Sequence, residues 1–70
     1  MTDIIYTGII IFYLPSKGYG YVRIPDTREE FHFRSASLVQ AVKAGDYVRF
    51  KLKQNKQGYF ADEIEHLKIA

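Results

Sequence analysis

The run Ile4-Ile5-Tyr6-Thr7-Gly8-Ile9-Ile10-Ile11-Phe12-Tyr13-Leu14 is apolar at both parities of an extended chain. Its β-branched and aromatic side chains favour a strand, and a strand apolar on both faces must be covered on both. A single sheet lying open to water does not satisfy that demand. Gly8, the one residue of the run without a side chain, reads as a bend or bulge that lets one long strand serve two parts of a small barrel.

Length points the same way. Seventy residues make one domain, residues 1–70, and a chain so short buries only roughly 60% of its unfolded surface. There is no cysteine to staple it, and two histidines, His32 and His66, are too few for a zinc site. No metal or other cofactor is expected. A closed β-barrel, which leaves no open edges, is the remaining way to hold such a chain together. The N-terminus has no basic segment leading into an apolar run and a small-residue cleavage site, and no apolar stretch reaches transmembrane length. The expectation is a soluble, cytoplasmic protein with no membrane partner.

Turn signals divide the rest of the chain. Pro15-Ser16-Lys17-Gly18 closes the first strand, and a second runs from Tyr19 to about Ile24 before Pro25-Asp26-Thr27. Glu29 to Arg34 alternates as a third strand, with Phe31 and Phe33 on one face and Glu30, His32 and Arg34 on the other. Ser35 to Ala44 has weak helical character ended by Gly45, enough for a turn or two inside a connection. Tyr47 to Lys53 is the fourth strand, with Val48, Phe50 and Leu52 inward and Arg49, Lys51 and Lys53 in solvent. After the polar loop Gln54–Gly58, Tyr59 to Leu67 holds the fifth. The predicted fold is all-β: a five-stranded antiparallel barrel of the oligonucleotide-binding type, with at most a short helical turn between strands 3 and 4.

Within it, Lys17-Gly18-Tyr19-Gly20-Tyr21-Val22 carries the chemistry. Tyr19 and Tyr21 share a strand face, with glycines opposite, which suits a neighbouring backbone passing close behind an aromatic platform. The same alternation also describes an amphipathic strand whose rings fill the core. Buried tyrosine hydroxyls need partners, and the residues alone leave both readings open. Of the eleven aromatic residues, six lie within one span, at Phe12, Tyr13, Tyr19, Tyr21, Phe31 and Phe33, while Arg49, Lys51, Lys53 and Lys56 form a basic run. Rings for bases and charge for phosphates are the parts of a single-strand binder. The net charge of +2 adds little to that. No catalytic set stands at a recognisable spacing. Glu29 and Glu30 point to opposite faces of a strand, and no strand-to-helix step follows the glycines to make a phosphate loop. The chain does not read as an enzyme, and no small-molecule substrate is expected.

Lys17 to Val22 resembles the first ribonucleoprotein motif of the cold-shock domain, of the Lys-Gly-Phe-Gly-Phe-Ile type, with tyrosine for both phenylalanines. Gly8-Ile9-Ile10-Ile11-Phe12-Tyr13 is similar to that family's opening Gly-x-Val-x-Trp-Phe strand, with Phe12 at the tryptophan position and Ile11 where a lysine usually stands. Glu30 to Ser35 lies where the second motif, of the Val-Phe-Val-His-Phe-Ser type, belongs. Gly45-Asp46-Tyr47-Val48-Arg49-Phe50 resembles Gly-x-x-Val-x-Phe, and Gly58-x-x-Ala61-x-x-Ile64 resembles Gly-x-x-Ala-x-x-Val. The resemblance runs in order along nearly the whole chain.

It implies a barrel that binds single-stranded RNA or DNA on an aromatic face, with low sequence specificity, in the manner of an RNA chaperone. Tyr19 and Tyr21 then turn outward. Aligned without a gap, Phe31 and Phe33 join them, which sends Glu30 and His32 inward. A shift of one residue restores a histidine at His32 and an aromatic at Phe33 but turns Phe31 inward. The ungapped register also matches Ser35-Ala36 and keeps the line of rings unbroken, so it is preferred. The expected site is Phe12, Tyr19, Tyr21, Phe31 and Phe33 for bases, with Lys17, Arg34 and Lys56 for phosphates. Ile11 and a short connection after Ser35 predict a small footprint. The alternative is a protein-interaction barrel, a monomer or weak dimer, that uses the same exposed rings.

Overall fold

The computed structural model describes residues 4–67. Five strands, β1 (Ile5–Leu14), β2 (Tyr19–Arg23), β3 (Glu30–Arg34), β4 (Tyr47–Asn55) and β5 (Gly58–His66), close into a barrel in the order β1-β2-β3-β5-β4. This is the expected all-β barrel of oligonucleotide-binding type, with one refinement. β3 and β5 run parallel, joined by the single pair His32–Phe60, and every other pairing is antiparallel.

β1 is shared as its apolar pattern requires. Ile5 to Ile9 pair with β4, and Ile9 to Leu14 pair with β2. Gly8 sits inside this crossover, where a Cβ would lie 2.7 Å from the Arg23 carbonyl oxygen and 2.9 Å from a Val22 methyl. The bulge itself falls three residues later, between Ile10 and Phe12. It exchanges the faces of the strand. Gly8 and Ile10 are buried before it, and after it Tyr13 packs against the core while Phe12 faces out.

The core consists of Ile10, Val22, Phe33, Val42, Val48, Phe50, Ala61 and Ile64, with Tyr6, Tyr13, Phe31 and Leu52 packed at its margin. Val48, Phe50 and Leu52 face inward as their alternation predicts. β3 does not follow the ungapped register. Phe33 is 0% exposed and Phe31 turns toward Phe50, at 6.3 Å between ring centroids, while Glu30 is exposed and His32 half-exposed on the outer face. Phe33 pairs with Gly20 on β2 and its ring fills the space a side chain there would take. The reverse arrangement would strip water from a carboxylate and an imidazole. Phe33 is therefore a core residue and Phe31 packs at the core's margin, so neither joins the tyrosines on the outer face.

Between β3 and β4 the helical tendency is realised only as a 3-10 turn, Ser35–Ser37. Leu38 then bridges to Ile64, and the Val39 N–H donates to the Ile64 carbonyl at 2.8 Å. This tertiary pairing holds extended a segment whose local preference was helical, and Val42 enters the core. Gly45, with φ +93°, turns the chain into β4.

Candidate nucleic-acid interface

The outer faces of β1, β2 and β3 hold a continuous aromatic surface. Phe12 pairs with Tyr21, Tyr21 with His32 and His32 with Phe60, which makes a transverse row across four strands. Directly opposed residues on one face bring their side chains within contact reach. The ring centroids of Phe12 and Tyr21 lie 5.4 Å apart, and those of Tyr21 and His32 5.6 Å. Tyr19, two residues before Tyr21, stacks on His32 at 5.9 Å and meets Phe12 edge-on at 6.0 Å. All five side chains are half-buried. Their faces are partly supported by one another and partly open to solvent.

The support behind the rings is stiff. Gly20 is buried, and its Cα faces the Phe12 carbonyl and the Phe33 ring, so β1, β2 and β3 are in close contact beneath the surface. Gly18 has a different role from Gly20: at φ +78° it completes the tight turn in which the Lys17 and Gly18 N–H groups both donate to the Leu14 carbonyl. That turn sets Lys17 beside the start of β2. Tyr13, on the inner side, lies 5.7 Å from Phe33 and hydrogen-bonds through its hydroxyl to the Ser35 hydroxyl at 2.9 Å.

Charge is distributed unevenly around this surface. Arg34 pairs with Tyr19 at the end of β3, and Lys56 occupies the β4–β5 turn. Lys17, Arg34 and Lys56 are exposed and form no ion pair among the described residues. At the opposite end Arg23 is held by Glu30 at 2.8 Å. Beyond that pair lies a groove of about 580 Å³ along Ile9, Ile11, Pro25 and Arg28, without an aromatic wall. This groove is larger in volume than the cleft beside Tyr21 and His32, but the aromatic rings lie elsewhere.

The basic run on β4 proves to be spoken for. Arg49 pairs with Glu65, Lys51 lies 3.5 Å from Glu63, and Lys53 bonds Asp62 at 2.7 Å and Glu63 at 3.3 Å. A bulge in β5, with Glu63 at φ +50°, brings these acids over the cations. Hydrogen bonds donated to Asp62 and Glu63 push the Lys53 ammonium above its ordinary value. Burial opposes the charge on Asp62, but hydrogen bonds with Lys53, Ser37 and the Glu63 backbone outweigh it and hold the carboxyl below the usual carboxylate range. A depressed carboxyl contributes stability that is complete above its unfolded value and is lost as pH falls through the folded one. Thermal unfolding of wild type and Asp62→Asn is therefore expected to differ most near neutrality, and the gap to close as pH drops below 3.8. A gap independent of pH would refute the ion pair's role.

Of the sequence-predicted residues, Phe12, Tyr19 and Tyr21 meet on the outer face, Lys17, Arg34 and Lys56 border it, and Phe31 and Phe33 lie inside. His32 and Phe60 were missed. The one-residue shift of β3 would have found His32. Phe60 depends on the parallel pairing of β3 with β5, which leaves no local signal. Among the described residues no group of side chains is arranged to hold a metal ion, and no helix is long and apolar enough to cross a membrane. Compared with protein-family models and with curated proteins, the sequence matches none.

Proposed function

We propose that this chain binds single-stranded RNA or DNA, with low overall sequence specificity, and by keeping strands unpaired acts as an RNA chaperone would. The observation that carries the reading is the row Phe12–Tyr21–His32–Phe60, with Tyr19 beside it, together with three exposed cations, Lys17, Arg34 and Lys56, that form no ion pair among the described residues. Every base has a flat face, so stacking is tolerant of sequence, and each stacked base contributes about 1–3 kcal/mol. Lys17, Arg34 and Lys56 supply phosphate contacts, whereas at the opposite end Arg23 is already engaged by Glu30. The cold-shock-like motif at Lys17 to Val22 supports the same reading, with His32 taking the place first given to Phe31 and Phe33.

Titration with short oligo-pyrimidine strands, followed by tyrosine fluorescence, tests it. The chain has no tryptophan to obscure the signal. Tyr21→Ala removes the ring that packs against both Phe12 and His32, and is expected to weaken binding by about 5- to 150-fold with little change in thermal stability. Three phosphate contacts on a single strand predict a log–log salt slope of about −2. Binding that strengthens with salt, together with a rise in molecular mass, would instead identify the ring surface as a self-association face.

A further inference from the structure

We propose that the cleft at the β3–β5 seam reads the edge of one base, and that it selects uracil or thymine over cytosine at a single position of the bound strand. This rests on the single-strand reading above and extends it from stacking to recognition. β3 and β5 share only the pair His32–Phe60, and where they part a cleft of about 290 Å³ opens. Its walls are the rings of Tyr21, His32, Tyr59 and Phe60, and its rim is formed by Asn55 and Gln57 of the β4–β5 hairpin. It is continuous with the aromatic row, of which Tyr21, His32 and Phe60 are members. A base following those stacked on the row meets this cleft next.

The Asn55 amide has a fixed sense. Its Oδ1 accepts the Gln57 backbone N–H at 2.9 Å, and because a backbone N–H can only donate, the oxygen must face it. That bond occupies one lone pair of Oδ1, while Nδ2, with two donors and no acceptor, makes no hydrogen bond among the described residues and is the group offered to a ligand. The edge of a pyrimidine farthest from its sugar carries a carbonyl oxygen in uracil and thymine and an amino group in cytosine. Facing Nδ2, the first makes a hydrogen bond and the second sets donor against donor. The two bases stack almost equally, so the amide decides between them. Lys56, one residue along the same turn, is placed to hold the neighbouring phosphate.

The test is a set of six-nucleotide strands, all cytosine except for one uracil stepped through each position, titrated against the full chain. One position is expected to gain about fivefold in affinity from uracil, the worth of one hydrogen bond, and the others to stay level. Asn55→Asp keeps the acceptor for the Gln57 N–H but presents only oxygen to the ligand, so preference at that position is expected to reverse toward cytosine. Gln54→Glu adds the same charge on the same hairpin but outside the cleft lining, and is expected to weaken all strands alike without reversal. If Asn55→Asp does not fold, Asn55→Gly, which suits a turn and has no amide, is expected to abolish the preference. Tight binding with a level series overturns the subsite and leaves the stacking surface standing. Absence of binding by every strand overturns both. An unchanged preference in Asn55→Asp, or a reversal in Gln54→Glu, overturns the assignment to Asn55.

Discussion

Phe33→Ala is expected to lose about 3–5 kcal/mol of stability, while His32→Ala, one residue away, keeps its stability and binds single strands poorly. Phe33 is among the largest side chains buried completely, packed beneath Gly20 and beside Tyr13. Truncating a core phenylalanine costs about 3–5 kcal/mol, through lost burial and the cavity left behind. A chain of seventy residues has a net stability of about 3.5–10 kcal/mol, so the substitution removes much or all of it. His32 contributes its ring to Tyr19 and Tyr21 on the outer face, and surface truncations away from the core usually change stability by less than about 0.5 kcal/mol. Thermal melts by circular dichroism, paired with oligonucleotide titration, separate the two effects. The opposite pattern, with His32→Ala unfolded and Phe33→Ala folded but unable to bind, would restore the other register of β3 and overturn the platform as described.

That pair of substitutions also marks where the sequence stops being informative. Strand existence was legible wherever turn residues punctuated β-branched runs, and in β4 the inward face could be read directly from Val48, Phe50 and Leu52. In β3 the alternation Glu30-Phe31-His32-Phe33-Arg34 is equally regular in either register. Its orientation is decided across the ladder, by the empty space over Gly20 that admits the Phe33 ring. The bulge that turns Phe12 outward falls within three successive isoleucines, Ile9 to Ile11, where nothing local distinguishes one from the next. Neutralisation of Arg49 and Lys53 required the β4–β5 register, because the acids stand more than eight residues away along the chain. Glycines carry the most information about the site. Gly20 marks the close approach behind the tyrosines, as its place between Tyr19 and Tyr21 suggests.

Gly20→Ala is the sharpest test of how the fold holds that surface. A Cβ at this position would stand 2.4 Å from the Phe12 carbonyl oxygen and 2.7 Å from Phe33 Cζ. The ring can yield only by displacing core neighbours, and the carbonyl only by shifting the β1–β2 ladder. Forcing extra volume into a packed interior costs about 1–3 kcal/mol, and the upper end applies where backbone is among the atoms struck. For a domain of this size that lowers the unfolding midpoint by about 10–20 °C. The double variant Gly20→Ala/Phe33→Leu relieves the ring contact alone, so it is expected to recover none of the loss caused by the carbonyl and to add the cost of a smaller core residue. Because Phe12 and Tyr21 are direct partners across this ladder, the Gly20→Ala protein that remains folded below its midpoint is expected to bind single strands more weakly than wild type, although no ring has been removed. Unchanged stability together with unchanged affinity would mean that β1 and β2 are not in close contact beneath the rings, and the stiff support proposed for stacking would fall with it.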